Sequence, residues 1–223
     1  MKIAEIFYSL QGEGMLAGVP SAFVRTSGCN LRCAWCDTPY TSWKPEGRQM
    51  EVAEIVEAVA AFPARHVVVT GGEPMIAPRI VELTQKLGEA GLHITVETAG
   101  TVFAPVRCDL MSISPKLANS IPEGDWVERH DKLRWQPEAL RLLMSDFEYQ
   151  LKFVIATPAD IAEMEAMIAA VGASRDRVLL MPEGTDNDTL AERGRWIAEI
   201  SKERGYRFSP RLHVMLWGNQ RGV

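Results

Sequence analysis

Short apolar runs alternate along the chain with segments whose apolar residues recur at helical spacing. The runs are rich in valine, isoleucine and phenylalanine, and several are apolar at consecutive positions. Such runs are typical of parallel strands that are buried on both faces. They predict six strands, at residues 22–26, 66–70, 93–97, 110–114, 150–155 and 178–181.

Three of the intervening segments carry apolar side chains on one helical face. In the third segment, Thr157 is predicted as the helix cap and Pro158 as the first helical residue. Alternating strands and helices predict a parallel sheet with right-handed crossovers, and we expect an open or partial (β/α) barrel of α/β class. The helical faces comprise Val52, Ile55, Val56 and Val59; Ile80, Leu83 and Leu87; and Ile161, Met164 and Ile168.

The alternation is interrupted once, at residues 117–149, a stretch with two tryptophans and a histidine. We interpret it as an insertion with one short helix over residues 137–144. No linker, repeat or low-complexity tract divides the chain, so residues 1–223 are expected to form a single domain.

Unusual polar residues follow four of the predicted strands. The cysteines come after the first strand, TGGEP after the second, ETAG at the third and SPK at the fourth. In parallel α/β folds the carboxyl ends of the strands carry the active site. The sequence therefore predicts one site that draws on four strand ends.

Composition narrows the possible partners. The formal net charge of −5 argues against a nucleic-acid-binding protein, which needs a basic face. No apolar run has the roughly 18 residues that a membrane span requires, and the N-terminal segment lacks the apolar core of a signal peptide. We therefore expect a cytoplasmic protein.

Three of the four cysteines, Cys29, Cys33 and Cys36, lie within one short stretch, CNLRCAWC. In a reducing cytosol such thiols are metal ligands or redox groups more often than disulfides. A zinc site usually takes four cysteine or histidine ligands, and no second pair is present. Three thiolates with an open position suit a 4Fe–4S cluster. A zinc or redox centre completed by a distant histidine stays open as an alternative.

The spacing Cys29-x3-Cys33-x2-Cys36, with Trp35 before the last cysteine, resembles the signature of radical S-adenosylmethionine (SAM) enzymes. The resemblance implies that three thiolates hold three irons and that SAM chelates the fourth. It also implies reductive cleavage of SAM to a 5′-deoxyadenosyl radical, which abstracts a substrate hydrogen.

Eight further segments, in order along nearly the whole chain, resemble the 7-carboxy-7-deazaguanine synthase (QueE) family. That family converts 6-carboxy-5,6,7,8-tetrahydropterin into 7-carboxy-7-deazaguanine with loss of ammonia, on the route to queuosine and related deazapurines. The resemblance implies a lyase, a homodimer, catalytic SAM, Mg²⁺ at the substrate, and an electron donor such as a flavodoxin or ferredoxin. The segments are SLQGEG, FVRTSGCN, CDTPYTSW, VVVTGGEP, VETAG, ISPK, QLKFVI and LHVMLWGNQRGV.

The resemblance also assigns residues. Thr38 is implied as the protein ligand of Mg²⁺, an ion that keeps few protein ligands and completes its shell with substrate and water. Glu73 is expected to accept hydrogen bonds from the SAM ammonium, and Arg25 to pair with the substrate carboxylate. The SAM site would comprise Trp35, Cys36, Asp37, Gly72, Glu73, Ser114, Pro115 and Lys116. The substrate site would comprise Leu10, Gln11, Gly12, Arg25 and Thr70.

Other residues and functions remain alternatives. Cys108 is expected to be a buried apolar thiol. A glycyl-radical activating enzyme is the nearest rival function, and a non-catalytic zinc protein is a rival of another class. Weaker candidates for the site are Glu13, Glu97, Thr98, Gln150, Lys152 and His213.

Overall fold

The computed structural model describes all 223 residues and shows one nine-stranded sheet. The strand order is β3-β1-β2-β4-β5-β6-β7-β8-β9, and the sheet is not closed into a barrel. The strands are β1 (Lys2–Leu10), β2 (Pro20–Thr26), β3 (Arg48–Gln49), β4 (His66–Gly71), β5 (His93–Thr98), β6 (Leu110–Ile113), β7 (Tyr149–Ile155), β8 (Val178–Pro182) and β9 (Arg207–Phe208).

Eight α-helices connect or follow the strands. None of them is long and apolar enough to cross a lipid bilayer. They are α1 (Pro39–Ser42), α2 (Val52–Ala60), α3 (Ile80–Glu89), α4 (Val127–Arg134), α5 (Pro137–Asp146), α6 (Asp160–Val171), α7 (Asn187–Arg204) and α8 (Leu212–Trp217).

The six predicted strands form an uninterrupted parallel block, β2-β4-β5-β6-β7-β8, which confirms the predicted α/β class with a mostly parallel, open sheet. The apolar runs predicted these strands correctly because both faces of the block are covered. Every residue of β7, for example, is buried. The strands and the helices that cover them share one hydrophobic core.

Three strands, β1, β3 and β9, are not predicted by the sequence pattern. β1 pairs antiparallel with β2, and a register shift between Ile3 and Glu5 breaks the alternation that would reveal it. β3 and β9 have two residues each and lie at the edges of the sheet, where there is too little length for any periodic signal.

Two predicted helix boundaries differ from the structure. Helix α6 begins at Asp160, three residues after the predicted cap Thr157. The reason is that the Asp160 carboxylate accepts hydrogen bonds from the backbone N–H groups of Ala156 and Thr157, which holds that segment as a turn. The interruption at 117–149 contains two helices, α4 and α5, where one was predicted.

The first half of this interruption braces the cysteine-bearing loop, residues 27–38, which follows β2. The Ala34 N–H donates to the Ser120 carbonyl oxygen at 2.9 Å, and the Trp35 indole donates to Asn119 Oδ1 at 3.2 Å. His130 is fully buried, and its Nδ1 accepts from the Arg32 N–H at 3.1 Å. The loop is therefore fixed from outside the sheet as well as by β2.

The contacts of His130 define its tautomer. Ser120 Oγ donates to the Leu117 carbonyl oxygen at 2.6 Å and therefore accepts from His130 Nε2, 2.9 Å away. Burial lowers the pKa of His130 to about 4, and the nearby Arg134 and Lys116 charges act in the same direction against the weaker effect of Asp131. The neutral imidazole is thus part of the folded structure.

We expect His130 to make the fold sensitive to acid. Its pKa is depressed in the folded state, so its contribution to stability is present above the unfolded pKa near 6.5 and is lost as the pH falls toward 4. Urea unfolding of wild type and His130→Gln should show a difference in unfolding free energy that shrinks by about 2 kcal/mol between roughly pH 7.5 and pH 5. A difference that is equal at both pH values would contradict the neutral assignment.

Candidate active site

The carboxyl ends of six neighbouring parallel strands open into one cavity of about 330 Å³. Lining side chains come from the cysteine loop after β2 and from the ends of β4, β5, β6, β7 and β8. The loop after β1 and the last five residues, 219–223, complete the wall. The strand-end pattern in the sequence therefore does mark one shared cavity.

All three clustered cysteines line this cavity, and all are free thiols. Cys33 is buried, whereas Cys29 and Cys36 are partly exposed to the cavity. Burial raises the pKa of Cys29 to about 11 and that of Cys33 to about 12, and the neighbouring cysteines add to the shift. Such thiols stay protonated in the absence of a metal, so thiolate formation here is linked to metal binding.

The donor set fits an iron–sulfur cluster with SAM beside it. Three thiols lie on one short loop against a cavity with room for a ligand. The backbone at Gly72 packs directly against the loop, since a Cβ there would collide with the Gly28 carbonyl oxygen and with Cys29 Cβ. No group of three or more His, Cys, Asp or Glu side chains is arranged to hold a single metal ion.

The predicted SAM residues divide into two groups. Those that line the cavity are Trp35, Cys36, Asp37, Gly72, Ser114 and Lys116. Glu73 and Pro115 lie outside its lining. The Lys116 ammonium donates to both the carbonyl and the hydroxyl oxygen of Ser114, each at 2.9 Å, and lies 5.6 Å from the centre of the Trp35 ring.

Glu73 is fully buried, and its carboxylate accepts three hydrogen bonds from within the protein. The donors are the Met75 N–H, the Thr98 hydroxyl and the Ala99 N–H, at 2.8–3.0 Å. The side chain therefore joins the end of β4 to the end of β5. Burial raises its pKa against the effect of these donors. A contact with SAM would have to share one of the occupied oxygens, so a SAM-binding role for this side chain stays a prediction.

Thr38 lies at the start of α1 and lines the cavity. Its hydroxyl is 3.4 Å from the Thr41 hydroxyl and 3.9 Å from Cys36 Sγ. The loop therefore places a hydroxyl oxygen next to the last clustered cysteine, on the wall of the same cavity.

Two of the predicted substrate residues converge on Glu97. Gln11 Nε2 donates to Glu97 Oε1 at 3.0 Å, and the Thr70 hydroxyl donates to Oε2 at 2.9 Å. Gln11 Oε1 in turn accepts from the Glu13 N–H at 3.1 Å. These bonds fix one carboxylate in the cavity wall, a role that the sequence indicated only weakly.

The other three predicted substrate residues, Leu10, Gly12 and Arg25, also line the cavity. Arg25 forms an ion pair with Glu5 at 3.1 Å, and its guanidinium lies 5.6 Å from the centre of the Phe7 ring. Glu5 also accepts from the Tyr40 hydroxyl at 3.1 Å and from Arg221 at 2.6 Å. A cation that is partly exposed to the cavity is thus held in place by a carboxylate on β1.

A network of four charged side chains joins the loops of the cavity. Glu13 forms ion pairs with Lys152 and, at 3.0 Å, with Arg211, which also pairs with Asp37. Burial alone would raise the pKa of Glu13 and lower that of Lys152, but their mutual attraction reverses both shifts. Attraction by Arg211 likewise outweighs desolvation and lowers the pKa of Asp37. All four groups are therefore charged, two of each sign.

The remaining candidates are placed as follows. Gln150 lies outside the cavity lining, and its side-chain amide forms hydrogen bonds within the fold. Its Nε2 donates to the Ser112 hydroxyl at 2.7 Å, and its Oε1 accepts from the Met15 N–H at 2.8 Å. Cys108 is half-buried outside the cavity and packs against the core. Glu13, Glu97, Thr98, Lys152 and His213 line the cavity.

The sequence analysis assigned no role to several residues of the wall, among them Tyr40, Arg211 and the C-terminal residues 219–223. Arg221 lies 3.7 Å from the centre of the Tyr40 ring and pairs with Glu5, so it fastens the C-terminus beside the cavity. Gly218 and Gly222 both have positive φ, and these two glycines are the local sign in the sequence that the chain changes direction here.

The sequence is similar to known proteins over two ranges. Residues 23–120 match the model of the radical SAM superfamily. Over nearly the full length, the chain is 46% identical to a 7-carboxy-7-deazaguanine synthase from Halobacterium salinarum, covering 98% of this chain and 91% of the relative. It is 42% identical to the enzyme of that name from Rhodopirellula baltica, covering 99% of this chain and 88% of the relative.

The fold has matching solved structures. QueE from Escherichia coli superposes with a TM-score of 0.70 at 30% identity, covering 95% of this chain and 94% of that one. Archaeal TYW1 superposes with a TM-score of 0.54 at 12% identity, covering 80% of this chain and 71% of that one, a likeness of fold alone.

Proposed function

The chain belongs to the 7-carboxy-7-deazaguanine synthase family of radical SAM enzymes, and from that premise we propose how its cavity performs the reaction. The reaction is the ring contraction of 6-carboxy-5,6,7,8-tetrahydropterin to 7-carboxy-7-deazaguanine with loss of ammonia, in queuosine and deazapurine biosynthesis. The observation that carries this function is similarity above 40% identity along nearly the whole chain to enzymes of one name. The same chain brings its three clustered cysteines to the cavity where its strand ends meet.

Cys29, Cys33 and Cys36 would hold a 4Fe–4S cluster, with SAM in the part of the cavity formed by Trp35, Asp37, Gly72, Ser114 and Lys116. When bound, these two groups would supply the radical chemistry that removes a hydrogen from the substrate. The protein contributes position: the cysteine loop is braced by Ser120, Asn119 and His130 and packed against Gly72. A rigid loop keeps the reacting groups in one geometry during turnover.

The pterin would occupy the other side of the cavity, against Leu10, Gln11, Gly12, Arg25 and Thr70. The Arg25 guanidinium suits the substrate carboxylate because it can donate two parallel hydrogen bonds. Glu97, held by Gln11 and Thr70, offers a fixed acceptor for ring N–H groups. Lys152, kept cationic by Glu13, offers a buried donor. A flat heterocycle with donors, acceptors and one carboxylate is complementary to this set.

Mg²⁺ would bind at Thr38, whose hydroxyl lines the cavity next to Cys36. One hydroxyl oxygen is enough for an ion that draws its other ligands from a substrate carboxylate and water. Such an ion would offset the negative charge of the carboxylate and hold it in one orientation.

The proposal also covers the compartment, the oligomeric state and the electron donor. We expect a cytoplasmic homodimer that receives electrons from a flavodoxin or ferredoxin. A reducing compartment suits this proposal, because oxidation of the cysteine loop would prevent cluster assembly.

The function is tested with anaerobically reconstituted enzyme, SAM, a chemical reductant and 6-carboxytetrahydropterin, with no protein partner. Product formation is expected in wild type and in Cys108→Ala, whose thiol is outside the cavity. Cys29→Ala, Cys33→Ala and Cys36→Ala should each reduce SAM cleavage to background, because no spare thiol lies on the loop.

The same assay separates the rival functions. A glycyl-radical activating enzyme would form no deazapurine in this assay, and it would place a radical on its partner protein only once that partner is added. A zinc protein would stay colourless after iron–sulfur reconstitution. Substantial SAM cleavage by a triplet variant with full iron content would refute the ligand assignment.

The magnesium proposal is tested with substitutions of similar size. Thr38→Val removes the hydroxyl and should raise the Mg²⁺ concentration for half-maximal activity by roughly tenfold. Thr38→Ser keeps the hydroxyl and should leave that concentration near the wild-type value. Iron content should be unchanged in both variants. Equal Mg²⁺ dependence in Thr38→Val and wild type would show that the ion does not bind this oxygen.

A further inference from the structure

Arg211 is a buried cation at the start of α8, and all three edges of its guanidinium are in use. Nε donates to Glu13 Oε1 at 3.0 Å, and one terminal nitrogen donates to the Gly184 carbonyl oxygen at 2.6 Å. The other terminal nitrogen donates to the Asp37 carboxylate. The side chain is 7% exposed, so these bonds lie largely out of water.

The two carboxylates come from loops with different roles. Asp37 directly follows Cys36, the last cysteine of the loop, and its side chain is 38% exposed toward the cavity. Glu13 follows Gln11 and Gly12 in the loop after β1, where the pterin is proposed to bind. Arg211 is therefore the direct physical link between the SAM side and the pterin side of the cavity.

The link is stiff because its other attachments are fixed. The Leu212 N–H donates to the Gly12 carbonyl oxygen at 2.8 Å. The His213 ring occupies the space beside Gly12, where a Cβ would collide with it. Gly184 lies just beyond the end of β8. If one of the two carboxylates moves and the guanidinium moves with it, the hydrogen bond to the other carboxylate must therefore change.

Only arginine supports this arrangement. Its planar guanidinium directs donors along three edges at once, whereas a lysine ammonium is a single point of charge on a flexible stem. The bonds are charge-assisted and poorly screened, so moving either carboxylate changes the electrostatic energy of the other. Lys152 holds Glu13 from a second side, which leaves Arg211 as the only bridge to Asp37.

We propose that Arg211 is a positioning residue that couples the two ligand sites, so that bound SAM raises the affinity for the pterin and bound pterin raises the affinity for SAM by the same factor. The reciprocity is required by thermodynamic linkage. The coupling assembles the reacting pair before an electron arrives. This inference rests on the proposed function, because it takes SAM and the pterin as the two ligands.

The test is equilibrium binding to enzyme with its cluster in place and no reductant, so that no turnover occurs. The dissociation constant of 6-carboxytetrahydropterin is measured by anaerobic calorimetry with and without saturating SAM. In wild type, SAM should lower that constant by about fivefold or more, whereas in Arg211→Gln and Arg211→Lys the ratio should fall to about twofold or less. Arg211→Lys keeps the charge and separates the loss of the planar fork from the loss of a cation.

The matched control is Arg193→Gln. Arg193 donates to the Glu183 carbonyl oxygen at 2.6 Å and pairs with its carboxylate, next to Gly184, but it bridges no second loop of the cavity. This variant should keep the wild-type ratio. Asp37→Asn, which weakens the same bridge from its other end, should lose coupling as the Arg211 variants do and provides the test if an Arg211 variant fails to retain its cluster.

The outcomes distinguish the two claims. Wild type that binds both ligands with no mutual effect, or an Arg211→Gln enzyme that keeps the full ratio, would overturn the coupling and leave the proposed function standing. Equal weakening of both ligands with an unchanged ratio would also overturn it, since that marks a structural role alone. Wild type that binds SAM but no pterin would refute the proposed function itself.

Discussion

Parallel pairing of the strands is the constraint on which the rest of the molecule depends. Seven strands, from β2 to β9 in the sheet, run in the same direction, so their carboxyl ends lie along one edge. Loops separated by more than a hundred residues in sequence are thereby brought to one cavity. The apolar side chains that fill both faces of the sheet stabilise this alignment and leave the chemistry to the loops.

Two kinds of contact turn these loop ends into a defined site. Neutral hydrogen bonds that the cysteine loop donates to residues 119, 120 and 130 brace it from outside. Ion pairs among Glu13, Lys152, Arg211 and Asp37 fix the inner side, where burial would otherwise disfavour every one of these charges. Charge balance within the network makes it compatible with the low-polarity interior.

The features that could be predicted from the sequence are those that depend on a local pattern of residues. The six parallel strands were visible because burial on both faces gives continuous apolar runs, and the cysteine triplet was visible through its spacing. β1 was missed because of its bulge, and α6 was predicted to start too early because the Asp160 side chain holds a turn there. Arg211 could not be identified, since its partners are 198 and 174 positions away. Glu73 is the opposite case. It belongs to a recognisable motif, but its side chain accepts hydrogen bonds from inside the fold.

The central claim is that cluster, SAM and pterin meet in one cavity, close enough for a hydrogen to pass directly from substrate to the 5′-deoxyadenosyl group. Transfer of deuterium tests this most directly. The reconstituted enzyme is given pterin deuterated at its carbon-bound ring positions, and the SAM and 5′-deoxyadenosine recovered after turnover are analysed by mass spectrometry. Deuterium in the recovered SAM and in any 5′-deoxyadenosine, increasing with product formation, is the predicted result. Deazapurine formed while both compounds stay unlabelled would contradict the account.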